Sequence, residues 1–303
     1  EFYKKTWAKN MIKKGIILAG GTGSRLSPLT KSVNKQLLPI YNKPLIFYPL
    51  SILMHNNIKD ILIIVNHGQL QEFRKILPEK NNLGIKITYK EQKKPRGLPD
   101  AFIIGEKFIN NHSVALILGD NFFYSKNLKD LIVNNSSFSK GSKIFISKSK
   151  NPSLYGVATL KKNKRVLKLE EKPKFPKSNF AVTGLYFFDK KACKLSKLLK
   201  PSGRGELEIT DLLNVYLKKD QLSAHILGKN CKWLDAGSID DLLLTSNFVK
   251  KIEIQKKTKI ACLEKISLKK KWTNISNIKK SIKFYGNCDY SKCLISLIKK
   301  RMK

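Results

Sequence analysis

Short apolar runs set far apart limit what this 303-residue chain can fold into. Ile61–Val65, Val114–Leu118, Lys143–Ile146 and Leu185–Phe188 are each four or five residues long and rich in Ile, Leu, Val or Phe. An earlier run, Gly15–Ala19, leads straight into a glycine-rich stretch. Strands covered on both faces read this way, as nearly continuous apolar runs rather than as alternation. Between the first runs lie stretches with helical spacing, Pro44–Asn56 and Gln69–Leu77. Strand alternating with helix predicts an α/β fold, an open and mostly parallel sheet with helices on both faces. From about residue 138 the runs crowd together, broken by Asn163, Pro173, Pro176 and Asn179, which predicts a mixed or antiparallel part of the sheet. A lysine-rich helical region follows from about residue 239. With no repeat period and no long linker, the expected organisation is an extension over 1–10, one main domain over 11–238 and a helical appendage over 239–303.

Composition removes several function classes. The longest apolar run, Leu45–Met54, contains Pro49 and Ser51 and is too short to span a bilayer, so no membrane role is expected. Glu1–Met11 is charged and lacks the apolar segment of a secretory signal. Five cysteines without a CxxC pattern argue against a disulfide scaffold or a structural zinc site and favour a reducing cytoplasm. Sixty basic against 22 acidic residues give a formal charge of +38. Only six of the basic residues are Arg, the side chain that reads bases and phosphates in bidentate fashion. The 54 Lys are scattered along the chain with 23 Asn and many Ile, residues with A- and T-rich codons. The charge is therefore read mainly as composition drift on solvated surfaces, with no specific nucleic-acid partner.

The stretch Gly15-Ile-Ile-Leu-Ala-Gly20-Gly21-Thr22-Gly23-Ser24-Arg25-Leu26 carries the most chemistry. Glycines after a strand let backbone amides approach an anion and cradle phosphate oxygens. It is not a Walker A loop, because Gly21 stands where Lys is required, nor a dinucleotide fingerprint, because Leu26 replaces the third glycine. Alone it is an ordinary turn. Ten residues after Arg25 comes Lys35-Gln36-Leu37-Leu38-Pro39-Ile40, and two cations beside a glycine loop suit a polyphosphate. Asp120 follows the run ending in Leu118-Gly119, at the strand end where open α/β sheets bind ligands. Asp235, in Trp233-Leu234-Asp235-Ala236-Gly237, is a second candidate. Brought together, the two would hold Mg²⁺ against phosphate oxygens; taken singly, Asp120 reads more readily as the cap of a following helix and Asp235 as the start of a turn.

These blocks, with others, make a resemblance. The chain from about 11 to 294 resembles the bacterial glucose-1-phosphate thymidylyltransferases (dTDP-glucose pyrophosphorylases) of the sugar nucleotidyltransferase superfamily. The matching blocks are GGTGSRLSPLT (20–30), KQLLPIYNKP (35–44), GLPDAFIIGE (97–106), LGDNFFY (118–124), YGV (155–157), LEEKP (169–173), SNFAVTGLYFFD (178–189), RGELEITD (204–211) and WLDAGS (233–238). The resemblance implies a three-layer nucleotidyltransferase fold whose catalytic domain is 11–238. It also implies in-line attack of a sugar 1-phosphate on the α-phosphorus of dTTP, with pyrophosphate leaving. No enzyme nucleophile is needed, in keeping with four His and five Cys that form no triad-like or metal-like pattern. Carried over, Leu18, Gly20, Gly21, Thr22, Gly23 and Ser24, with Arg25 and Lys35, would hold the triphosphate side. Gln36, Gln92 and Gly97 would meet the nucleoside. Asp120 and Asp235 would bind Mg²⁺. Asn121, Tyr155, Gly156, Glu171 and Val182 would line the sugar pocket, Lys172 would grip the sugar phosphate, and Arg204 would support the phosphate region.

The chain departs from the family's pattern in places. Ser24 stands for Thr, Asn42 for Asp, Pro99-Asp100 for Ala-Gln, and in the tail Ser291 and Cys293 stand for Gly and Tyr. The expected partners are dTTP and glucose 1-phosphate. A homotetramer, with C-terminal helices in the subunit contacts, and a place in rhamnose-type deoxysugar polysaccharide synthesis are further implications. The competing readings are a related enzyme using UTP or another sugar phosphate, and a degenerate member that only binds nucleotide or polyanion.

Overall fold

Alternation along the strands sorts the apolar side chains into two layers. Ile17, Ile61, Ile63, Val65, Ala115 and Ile117 face one way, while Ile16, Leu62, Ile64, Val114 and Leu116 face the other. The structure, a computed structural model, describes residues 12–125 and 140–302; the expected extension over 1–10 lies outside the described residues. In chain order the elements are β1 (Lys14–Ala19), β2 (Pro39–Ile40), β3 (Lys43–Pro44), α1 (Phe47–His55), β4 (Asp60–Asn66), α2 (Leu70–Ile76) and β5 (Lys86–Gln92). There follow α3 (Asp100–Ile104), α4 (Glu106–Ile109), β6 (Val114–Leu118), β7 (Asn121–Ser125), β8 (Ser142–Lys148), β9 (Gly156–Leu160), β10 (Val166–Glu171) and β11 (Phe180–Phe188). The chain continues through α5 (Ala192–Ser196), α6 (Ile209–Lys218), β12 (Leu222–Ile226), β13 (Cys231–Asp235), α7 (Ile239–Lys256), α8 (Leu263–Lys269), α9 (Ile275–Tyr285) and α10 (Asp289–Met302).

The main sheet has the order β10-β9-β11-β6-β1-β4-β5, with β8 on β11 and β12 on β8. The segment β6-β1-β4-β5 is parallel. Beyond it β11 runs antiparallel to β6, β8 and β9, the mixed part expected after residue 138. Helices cover both faces: α1, α2 and α8 contribute to one apolar layer, and α3, α5 and α6 to the other. Among the described residues no helix is long and apolar enough to cross a membrane.

Two local differences from the sequence reading have plain causes. The helix expected from Pro44 starts at Phe47, because Pro44 pairs with Pro39 in the β2–β3 hairpin. Tyr41, at φ 59°, makes the turn of that hairpin. The edge strand β5 buries only Ile87, Tyr89 and Gln92 of its seven residues, so it lacks the all-apolar signature of its neighbours.

The C-terminal helices are tied to this body by a buried charge cluster. Lys43 Nζ lies 2.8 Å from Glu253 Oε1, and their side chains are 1% and 3% exposed. Asn42 Nδ2 donates to the other oxygen at 2.9 Å, the Ile260 amide donates to Oε1 at 2.8 Å, and Lys259 lies 3.1 Å away. An Asp at position 42 would set a second carboxylate against Glu253, whereas Asn42 supplies a donor. Burial drives the Lys43 ammonium pKa down, and Glu253 opposes that shift. Removing one partner of such a pair strands the other charge in the core. Glu253→Ala is therefore expected to lower stability in urea unfolding by roughly 3–5 kcal/mol; a loss below about 1 kcal/mol would show the cluster to be incidental.

Candidate active site

The parallel strands β1, β4 and β6 end along one edge of the sheet, and a cleft of about 240 Å³ opens there. Asp120 sits just past β6. Gly119 before it has no room for a side chain, since a Cβ would meet Gln36 Cγ at 2.7 Å. Asp235 reaches the same place through a separate ribbon. Strands β7 and β13 pair antiparallel with Asn121 opposite Asp235, and the Ala236 amide donates to the Asp120 carbonyl at 3.0 Å. Asp120 thus leads into a strand, not the helix that the capping alternative required.

The two carboxylates differ in environment. Burial works to raise the pKa of Asp120, but the Lys35 ammonium bonded to Oδ2 and the Asn121 amide, 3.1 Å from Oδ1, hold it below its ordinary value. Burial and the charge of Asp120 push Asp235 up to about 7, against the pull of Lys35 and Arg25. Gly237 makes the space for Arg25: a Cβ there would lie 2.8 Å from the guanidinium Nη2 and 3.2 Å from Asp235 Oδ2. Two hard carboxylates, one driven toward protonation by the other, fit a divalent cation, whose charge would relieve their repulsion. Among the described residues no group of three or more His, Cys, Asp or Glu could hold an ion, so further ligands would be phosphate oxygens and water.

On the glycine-loop side, contacts are close. A Cβ at Gly20 would fall 1.8 Å from Gln92 Nε2. Asn66 holds the loop from both directions: Oδ1 accepts from the Gly21 amide at 3.0 Å and Nδ2 donates to the Gly21 carbonyl at 2.8 Å. Gln92 Nε2 also donates to Asn66 Oδ1, at 3.0 Å. Gly21 and Gly23 have φ of 110° and 61°, and a single 3-10 turn, Ser24–Leu26, follows the loop. Thr22 and Ser24 are exposed, Leu18 is half-buried at the end of β1, and Gln36 is buried. Asn34 caps the turn carrying Lys35 and donates to the Ala19 carbonyl at 3.2 Å, so the cation and the loop share one support. Gly97, at φ 104°, lies so close to Leu207 that a Cβ would sit 2.1 Å from its carbonyl oxygen.

The other wall gathers the residues assigned to the sugar. Glu171 Oε2 accepts from Thr210 Oγ1 at 3.1 Å, and Oε1 lies 3.4 Å from Arg204 Nη2. Burial, followed by the charge of Glu208, raises the Glu171 pKa. Arg204 is held more closely by Glu208, at 2.7 Å. Lys172 turns the chain after β10 with φ 41°, a left-handed conformation that costs a lysine energy, and its amide donates to the Tyr155 carbonyl at 3.0 Å. Tyr155 packs edge-on against Trp233, 5.0 Å between ring centres. Asn121 is committed to protein partners: Oδ1 accepts from the Gly184 amide at 3.0 Å and from Trp233 Nε1 at 2.6 Å.

Arg25, Asp120, Asn121, Tyr155, Gly156, Glu171, Lys172, Val182, Arg204 and Asp235 line the cleft. Leu18, Gly20–Ser24, Lys35, Gln36, Gln92 and Gly97 stand outside that lining; the close Gly20–Gln92 contact and the hydrogen bonds of Asn66 and Asn34 knit loop residues there to their neighbours, Lys35 grips Asp120, and Gly97 precedes the lining residue Leu98. Sequence reading passed over Asn66 and gave no role to Thr210, Glu208 and Trp233, although these three lie in the matching blocks. It noted Asp100 only as a departure. Asp100 is buried and bonded by Arg96 Nη2 at 2.6 Å, bracing the turn that carries Gly97.

Similarity to known proteins shows the family. Residues 14–252 match the nucleotidyl transferase family. The chain belongs to that family. It is 44% identical over 287 residues to the glucose-1-phosphate thymidylyltransferase of Neisseria meningitidis serogroup A, covering 95% of this chain and all of that one. The enzyme of the same name from Mycolicibacterium smegmatis is 42% identical over 84% of this chain and 88% of its own. A solved Bacillus anthracis structure assigned as a glucose-1-phosphate thymidylyltransferase, with sucrose bound, superposes with a TM-score of 0.72 at 39% identity, covering 78% of this chain and 94% of that one. A UDP-glucose pyrophosphorylase with UDP-glucose gives a TM-score of 0.70 at 26% identity, over 80% of this chain and 99% of that one.

The Asp235 shift has a consequence for stability. Its carboxyl keeps a proton in the native state up to about 7 but loses it near 3.8 when unfolded. The unfolded state therefore gains as pH rises between these values, and the contribution of Asp235 to stability falls. Asp235→Asn removes this loss. In chelator at pH 8 the variant is expected to melt higher than the parent by roughly 2–4 °C for each kcal/mol relieved, with the gap narrowing toward pH 4. A variant melting below the parent at pH 8 would show that Asp235 is stabilised rather than strained.

Proposed function

We propose that this chain transfers a thymidylyl group from dTTP to glucose 1-phosphate, giving dTDP-glucose and pyrophosphate. One observation carries the reading: the Asp120–Asp235 pair lies in a cleft with Arg25 on the glycine-loop side and Lys172 on the sugar side. The shared name of the relatives supplies the substrates. In this reading residues 11–238 are the catalytic unit and 239–303 its helical appendage. The protein acts in the cytoplasm as a homo-oligomer, a tetramer by resemblance, and feeds deoxysugar polysaccharide synthesis. No specific nucleic-acid role is proposed.

The sugar phosphate is itself the nucleophile, so the chain's task is to hold two anions in line and offset their repulsion. The glycine loop, Arg25 and Lys35 hold the triphosphate side. Lys35 also keeps Asp120 ionised. Gln36, Gln92 and Gly97 meet the nucleoside. Glu171, kept in place by Thr210, accepts hydrogen bonds from sugar hydroxyls, with Tyr155, Gly156 and Val182 around the ring. Lys172 offsets the charge of the incoming phosphate, and Arg204 braces Glu171. Asn121 acts as a positioning residue for Asp120 and Trp233. Asp120 and Asp235 would hold a divalent cation, Mg²⁺ in our reading, which when bound neutralises phosphate charge and polarises the phosphorus centre.

The likeness to a UDP-glucose pyrophosphorylase gives a second reading, in which UTP is the donor. Pyrophosphate release with four nucleoside triphosphates against several sugar 1-phosphates separates the two; preference for UTP over dTTP would overturn the first. Asp120→Asn and Asp235→Asn are each expected to lower turnover about 100-fold or more, equivalent to ~3 kcal/mol of barrier, with far-ultraviolet circular dichroism unchanged. Near-parental turnover of both at saturating Mg²⁺ would remove the pair from the mechanism.

For Lys172→Ala the expected signature is a rise in KM for glucose 1-phosphate with dTTP binding nearly unchanged. Lys172→Gly should share that kinetic defect yet melt higher than Lys172→Ala, since glycine accepts the left-handed backbone. Loss of dTTP affinity alone would contradict the assignment.

A further inference from the structure

The carboxamides beneath the glycine loop are tied in a fixed order of donors and acceptors. Asn66 ends β4 and stands in register opposite Gln92, the last residue of β5. The Gly21 backbone settles which way Asn66 points. Its N–H can only donate and its carbonyl can only accept, so Oδ1 takes the first at 3.0 Å and Nδ2 gives to the second at 2.8 Å. Asn66 Oδ1 also accepts from Gln92 Nε2 at 3.0 Å. Gln92 is 5% exposed, and its carboxamide lies against Gly20, where a Cβ would fall 1.8 Å from Nε2 and 3.1 Å from Oε1. Nε2 is thus committed to Asn66, and Oε1 is the end left for a ligand.

We propose that Asn66 is a positioning residue for base selection. It holds Gln92 with the carboxamide oxygen toward the base, and so selects pyrimidines that carry a hydrogen on N3, thymine and uracil, over cytosine. This rests on the reading that Gln92 meets the nucleoside. The selection follows from polarity: N3 of thymine or uracil donates, whereas N3 of cytosine carries no hydrogen and accepts. Set against Oε1, cytosine opposes lone pair to lone pair, and two desolvated groups go unpaired.

Turning the Gln92 carboxamide over would suit cytosine, but it would set Oε1 against Asn66 Oδ1, the same conflict moved inward. Asn66 cannot turn to relieve it, because both of its ends would then oppose the Gly21 backbone. The backbone of the glycine loop therefore dictates, through two side chains in series, which base edge is accepted. The loop that holds phosphate and the residue that reads the base share one hydrogen-bonded unit. This device is blind to the 5-methyl group, so it treats dTTP and dUTP alike.

The test compares kcat/KM for dTTP, dUTP and dCTP, each with glucose 1-phosphate, by pyrophosphate release from the full chain. The parent is expected to favour both dTTP and dUTP over dCTP. Asn66→Ala frees Gln92 to turn, and the dTTP-to-dCTP ratio should fall roughly tenfold, the worth of about one hydrogen bond. Loosening of the glycine loop alone would lower all three values and leave the ratio in place. Asn66→Asp keeps an oxygen toward Gln92 in either protonation state, and should hold the ratio within about threefold of the parent even where turnover drops. A ratio unchanged in Asn66→Ala, or lost in Asn66→Asp, would overturn the proposal, and the aspartate variant decides the matter where the alanine variant fails to fold. A parent that uses dCTP as well as dTTP would instead overturn the placing of Gln92 against the base, and this proposal with it.

Discussion

Two carboxylates held side by side in a partly dry cleft repel each other, and much of the local architecture answers that repulsion. Asp120 is placed by β6 and by the glycine before it, and Asp235 by the β7–β13 ribbon. Lys35 grips the first, and Arg25 rests over Gly237 beside the second. Asn121 links the pair to the sheet through Gly184 and to the aromatic wall through Trp233. The turn bearing Lys35 is capped by Asn34, which also holds the end of β1. Such a site stores unfavourable electrostatics in its resting form and is relieved when positive charge arrives.

Acids are the scarce residues in this chain, 22 against 60 bases. Where they are buried they organise what surrounds them. Glu253 collects Lys43, Lys259, Asn42 and the Ile260 amide, and so fixes α7 to the β2–β3 hairpin. Asp100 holds Arg96, and Glu208 holds Arg204. A surplus of lysine on the outside leaves these pairs intact, because burial rather than net charge decides their strength.

The strands were legible because parallel central strands are apolar on both faces, and Ile61–Val65 and Val114–Leu118 admit little else. The edge strand β5 was not, since Lys86 and Lys90 are exposed and, with the half-buried Glu91, dilute its pattern. Within the site, the glycine loop and Asp120 announced themselves through spacing next to a strand. Asp235 stood in sequence only as a second candidate; its place beside Asp120 comes from its register opposite Asn121, a long-range pairing that no local pattern encodes. Asn66, Thr210 and Glu208 went unread for a similar reason. Each is a common polar residue whose role is a hydrogen bond or ion pair to something far away in sequence or already paired in the fold. The left-handed backbone at Lys172 is likewise invisible in a residue type that rarely adopts it.

The contact between Gly97 and Leu207 bears on how enzymes of this kind diverge. The two backbones pair side by side, with no space for even a methyl group between them. On the proposed roles, Gly97 belongs to the nucleoside wall, and Leu207 sits between Arg204 and Glu208, whose partners reach Glu171 on the sugar wall. A displacement of one wall is thus transmitted mechanically to the other. On the proposed roles, base preference and sugar preference in this chain are mechanically coupled, so that reshaping the nucleoside wall at Gly97 would also shift the acceptor pocket through Leu207.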